Sequence, residues 1–98
     1  GSSLQANSEG SIHNGADDNA SGTSGLVELA YHYAKNGITE KHNFLFILFS
    51  GEELGLIGSK YFCDKPTIDL KSVNFMLNMD MIGRYREDKG LTIGGYGT

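Results

Sequence analysis

Three short acidic blocks carry the side chains able to do chemistry: Asp17-Asp18-Asn19 in NGADDNASG, Glu52-Glu53 in FSGEELGLIGS, and Asp80 in LNMDMIGR. Carboxylates hold cations, take protons or cap helices. They also repel one another, and a unit pair at about 4 Å costs roughly 4 kcal/mol at an effective dielectric near 20. If Asp18, Glu52, Glu53 and Asp80 converge, protons or a cation must neutralise them, and a bound divalent metal is the simplest answer. Carboxylates alone suit Mg or Ca, whereas Zn favours histidine as well. Each block has a local reading too. Asp17, Asp18 and Asn19 precede a helical pattern and are good N-cap types, and Glu52-Glu53 suits a helix start. Capping gives no reason for Asp80 to end an otherwise apolar run, where an ionised side chain needs a partner. His13 falls in a Gly/Asn loop, His32 inside a helical pattern and His42 in a polar turn, so all three read as solvated or core-edge groups.

The elements that must position these residues are legible in the hydrophobic pattern. Residues 1–17 are polar and rich in Gly, Ser and Asn, which predicts a loop. Leu26, Leu29, Ala30 and Tyr33 then recur at helical spacing, with Val27 and Ala34 flanking, and Asn36-Gly37 supplies a left-handed stop; the spacing predicts a helix over 21–35. Asn43–Phe49 (NFLFILF) is a continuous apolar run too short for a buried helix and predicts a strand buried on both faces. Leu54–Cys63 has helical spacing, ended by Asp64-Lys65-Pro66. Val73–Met81 and Leu91–Gly95 predict two more strands, joined by a polar turn around Arg86–Gly90.

The order helix, strand, helix, strand, strand over 18–98 implies a layered α/β arrangement whose first two strands are parallel through a right-handed crossover. In open α/β sheets ligands bind beyond the carboxyl ends of the strands. Glu52 and Glu53 follow one such end, Asp80 sits at another, and Asp18 lies just ahead of the first helix.

Length and composition bound the alternatives. Ninety-eight residues allow one domain with a modest core, and 39% hydrophobic with 20% charged residues is a globular composition. A formal charge of −4 with scattered Lys and Arg argues against a nucleic-acid partner. Cys63 is the sole cysteine, so no internal disulfide can form. No run approaches a membrane span and no signal peptide opens the chain; the compartment stays open, export included.

NGADDNASG, FSGEELGLIGS and LNMDMIGR, in this order and at these separations, resemble the co-catalytic dizinc aminopeptidases, family 28 of the metallopeptidases. The resemblance runs from Ile12 onward and implies a three-layer α/β/α zinc-exopeptidase domain around a mixed, partly parallel sheet. It implies that Asp18 bridges two zinc ions, that Glu53 binds one and Asp80 the other, and that Glu52 is the general base acting on peptide substrates. Asp17 and Asn19 would then be supporting and capping groups, and the Asp18–Asn19 bond a cis peptide. The family also takes two histidine ligands, one from a His-x-Asp motif, and no His-x-Asp occurs here. The expectation is therefore an excised central fragment carrying the carboxylate half of the site, inactive and metal-poor alone, and prone to self-association through bared strand edges. A non-catalytic binding relative and a glutaminyl-cyclase-like acyl transferase with one zinc are the alternatives; the intact Asp-Asp-Asn and Glu-Glu blocks favour the hydrolase.

Overall fold

In the computed structural model, which describes residues 10–90 and 92–95, two α-helices flank an extended apolar segment. A wide turn comes first, Ala16–Ser21, closed by the Ala20 N–H on the Gly15 carbonyl at 2.9 Å; within it Asp18 and Asn19 leave helical geometry. Helix α1 follows directly as Gly22–Lys35. Leu26, Ala30 and Tyr33 are half-buried while Val27 and Ala34 are exposed, so three of the four residues that the spacing marks turn inward; the fourth, Leu29, is exposed. The helix stops as expected: the Asn36 N–H reaches the His32 carbonyl at 2.9 Å, and Gly37 has φ 71°, a left-handed conformation cheap for glycine.

Helix α2 spans Ile57–Asp64, three residues later than the periodicity from Leu54 implies. Gly51, Gly55 and Leu56 all have positive φ, which no right-handed helix tolerates, so 51–56 is a turn. That turn has a purpose, since Ser50 and Gly51 offer their carbonyls to the Gly58 and Ile57 N–H groups at 3.0 and 3.1 Å. These donors would otherwise have no partner at a helix start. Gly58 sits so close to Ser50 that an added Cβ would meet its carbonyl oxygen at 2.6 Å. The Lys65 N–H closes the last turn on Tyr61, and Pro66 prevents continuation.

The segment 43–49 lies between the helices. Phe44 stacks on Tyr33 of α1 with ring centroids 4.3 Å apart, and Phe49 meets Phe62 of α2 at 5.9 Å. Phe44 and Phe46 are 6.3 Å apart, the same-side spacing of an extended chain. Among the described residues, however, no ladder pairs this segment, nor 73–81, nor 92–95; Leu91 lies outside them. Extended backbone needs a hydrogen-bonded neighbour to become sheet. The run expected to reach Met81 also ends at Asp80, because Met81 turns to φ 52°. An antiparallel bridge, Arg86 with Gly90, closes the predicted polar turn, tied further by an Arg86–Asp88 pair at 2.9 Å.

No hydrophobic side chain is fully buried among the described residues, and Phe75, Met76 and Leu77 are 78, 74 and 64% exposed. The accessible surface is 8919 Å², against the ~5,500 Å² of a folded monomer of 10.6 kDa. The radius of gyration, 16.2 Å, likewise exceeds the ~13 Å of a compact 100-residue domain. The helices and turns are formed, but among the described residues no further layer covers them.

Candidate active site

The best-knit part of the molecule joins the first acidic block to the third. Asn19 spans the junction: its Nδ2 donates to the Met79 carbonyl at 3.0 Å, while its Oδ1 accepts the Gly22 N–H at 2.9 Å and the Met81 N–H at 3.3 Å. One amide thus fixes the start of α1 and both neighbours of Asp80. Asp17 makes a second tie, its Oδ1 accepting the Gly83 N–H at 2.9 Å and the Ser21 hydroxyl at 3.2 Å. Ser21 also donates to the Asp17 carbonyl at 2.6 Å. Asp17 Oδ2 faces Arg84 Nε at 3.2 Å.

Small residues make this contact possible. A Cβ on Gly22 would collide with the Met79 carbonyl and the Asn19 amide, and one on Gly25 would meet the Ile82 side chain at 2.9 Å. Gly22 is the one buried residue described, and its φ of −65° shows that space, not backbone freedom, is what it provides. The Gly-x-x-Gly spacing at the head of α1 is the sequence signal for this close approach, and hydrophobic periodicity alone does not register it.

Asp18 stands between the two ties. It is exposed, no protein group donates to its carboxylate among the described residues, and its bond to Asn19 is cis, as the resemblance implies. Asp80 is also exposed and without a protein partner among them, next to an open hollow of about 350 Å³ where Arg84, Arg86 and Lys89 gather. The two carboxylates therefore belong to segments locked side by side and are themselves uncommitted.

Glu52 and Glu53 are placed differently. The Glu52 carbonyl accepts the Gly55 and Leu56 N–H groups at 3.0 and 2.9 Å, so its backbone shapes the turn ahead of α2 while its side chain is exposed. Glu53 is half-buried. Among the described residues no hydrogen bond or ion pair connects this turn to 17–22 or 79–84, and no three His, Cys, Asp or Glu side chains converge as a metal-holding group. His32 packs edge-on against Tyr33 with ring centroids 5.5 Å apart; His13 and His42 are exposed. The described residues thus place two unpartnered carboxylates, Asp18 and Asp80, on abutting segments, oxygen donors without imidazole and short of the donor set that zinc favours.

The model of peptidase family M28 matches residues 3–98. The chain is 37% identical over 70 residues to leupeptin-inactivating enzyme 1 of Streptomyces exfoliatus, an alignment covering 70% of this chain and 16% of that protein. It is 39% identical over 72 residues to aminopeptidase YwaD of Bacillus subtilis, covering 70% and 15%. It is also 40% identical over 76 residues to a protein of Pyrenophora tritici-repentis named as a probable zinc metalloprotease, covering 78% and 15%. The chain spans about a sixth of the length of these relatives. No solved structure matches it significantly.

Proposed function

The chain belongs to peptidase family M28, and from that premise we propose that it supplies the carboxylate part of the active site of a zinc aminopeptidase, which removes N-terminal residues from peptides. The observation that carries this reading is the Asn19 junction, which holds the neighbours of Asp18 against the neighbours of Asp80 while leaving both carboxylates without protein partners among the described residues. Two exposed carboxylates without direct protein partners gain nothing from being held on abutting segments; as ligands they gain a cation.

Asp18, Glu53 and Asp80 are the residues that would hold zinc, with Asp18 the bridge if two ions bind. Zinc would supply polarisation of the scissile carbonyl and a lowered water pKa. Glu52 is the general base: its exposed side chain, at a turn fixed by its own carbonyl, takes a proton from the attacking water and returns it to the leaving amine. The remaining donors, including histidine, would come from outside these residues.

We further propose the three-layer α/β/α domain with a mixed sheet as the setting, with 43–49 and 73–80 as two of its strands. Support comes from the stacking of 43–49 between α1 and α2 and from the roughly 3,400 Å² of surface beyond that of a folded monomer. That excess is larger than the ~800 Å² per partner of a standard interface, which favours cover by further layers of one domain. Alone, the chain would cover itself by self-association. No described helix is long and apolar enough to cross a membrane.

The test is turnover of aminoacyl amide substrates by the full-length gene product. Glu52→Gln should lower turnover by roughly 10²–10⁴-fold and leave bound zinc nearly unchanged, whereas Asp18→Asn should lose zinc. Equal zinc loss in both variants would show that the glutamate is a ligand and not the base.

A further inference from the structure

Asp17 and Asp18 are chemically identical neighbours, yet Asp17 is turned inward and Asp18 outward. The Asp17 side chain is only 10% exposed. Its Oδ1 has two donors, Gly83 N–H and Ser21 O–H. Its Oδ2 is shut off from solvent and has no hydrogen bond, and the one described group facing it is Arg84 Nε at 3.2 Å. A nearly buried carboxylate with one oxygen unsatisfied needs a compensating charge, the more so one residue from Asp18 and beside the segment that carries Asp80.

We infer that Arg84 is a positioning residue that neutralises Asp17 and thereby decides which of the two adjacent aspartates is presented to a metal. This rests on the peptidase reading for the metal, but the lock itself is a property of these residues. Without Arg84, the Asp17 carboxylate is drawn toward solvent and toward any cation held by Asp18 and Asp80. The Gly83 and Ser21 bonds loosen with it, and Asp17 competes with Asp18. Arg84 reaches Asp17 through Nε while its side chain stays 78% exposed, so its role is charge placement and not packing.

The chemistry permits a compensating test. In Asp17→Asn the Oδ1 acceptor survives, but a donor replaces Oδ2 and faces the guanidinium. In Asp17→Asn/Arg84→Gln that donor can meet the amide oxygen of the introduced glutamine, giving a neutral amide pair in place of the ion pair. On the full-length gene product, zinc affinity by titration, kcat and KM, and amide exchange at Gly83 are measured for wild type, both single variants, the double variant and Arg84→Lys.

Arg84→Gln should weaken zinc about tenfold and lower kcat with KM little changed, and should speed exchange at Gly83. Arg84→Lys should recover part of the loss, since it keeps charge without the fork. The double variant should bind zinc better than Arg84→Gln alone, a coupling of the two sites. Additive losses in the double variant, or an Arg84→Gln protein matching wild type in zinc affinity and Gly83 exchange, would overturn the inference. Absence of zinc-dependent hydrolysis by wild type would instead overturn the peptidase reading, while Gly83 exchange across the same proteins would still decide on the lock.

Discussion

Asn19→Ala is the sharpest single perturbation of the junction. The change deletes three hydrogen bonds, to Met79 O, Gly22 N and Met81 N, at 3.0, 2.9 and 3.3 Å. A typical bond contributes a net 0.5–1.5 kcal/mol, and loss of a helix-start cap alone costs about 0.5–2 kcal/mol. Asn19 is exposed, so water replaces part of what is lost, and the 3.3 Å bond is the weakest. The junction should therefore lose about 1–3 kcal/mol, seen as a roughly 5- to 150-fold rise in local opening. Hydrogen exchange on the full-length gene product reads this at the Gly22 and Met81 amides, with α2 amides as internal controls. Asn19→Asp keeps both accepting oxygens but sets a carboxylate oxygen against the Met79 carbonyl and adds a negative charge beside Asp17 and Asp18, so exchange at Gly22 and Met81 should rise in that variant too. Unchanged exchange at Gly22 and Met81 in Asn19→Ala would refute the claim that this side chain holds the two segments together.

Gly22→Ala should destabilise the same junction although alanine is the better helix former, because its Cβ would strike the Met79 carbonyl and the Asn19 amide; a raised midpoint of thermal unfolding would contradict this. The isolated 98-residue chain should bind zinc weakly and without two tight sites, as calorimetric titration can show, since its described carboxylates lack imidazole partners and Glu53 is not joined to the others. The isolated chain should also associate at micromolar concentration, and light scattering that finds a folded monomer would mean that the apolar segments 43–49 and 73–77 are covered within one copy.

What can be read in the sequence is local. Leu26, Ala30 and Tyr33 mark the inward face of α1, Asn36-Gly37 its end, and Arg86–Gly90 a turn, because each depends on neighbours a few residues away. The start of α2 is obscured because the three-residue step from Leu54 to Ile57 mimics a helix, whereas the glycines at 51 and 55 impose a left-handed turn that spacing does not register. The strands pose a different difficulty. NFLFILF announces burial, but a strand is completed by a partner whose identity no local pattern contains.

The acidic residues divide along the same line. Charge alone suggests that Asp18, Glu52, Glu53 and Asp80 gather on one rim, whereas among the described residues only the segments carrying Asp18 and Asp80 are joined. Charge does not say which aspartate turns inward, because the deciding groups, Gly83 and Arg84, lie more than sixty residues further along the chain. Residue type states what a side chain can do; the hydrogen bonds around it select which of two identical side chains does it. In this chain Asp17 is occupied by Gly83, Ser21 and Arg84, so Asp18 is the one left available for a cation.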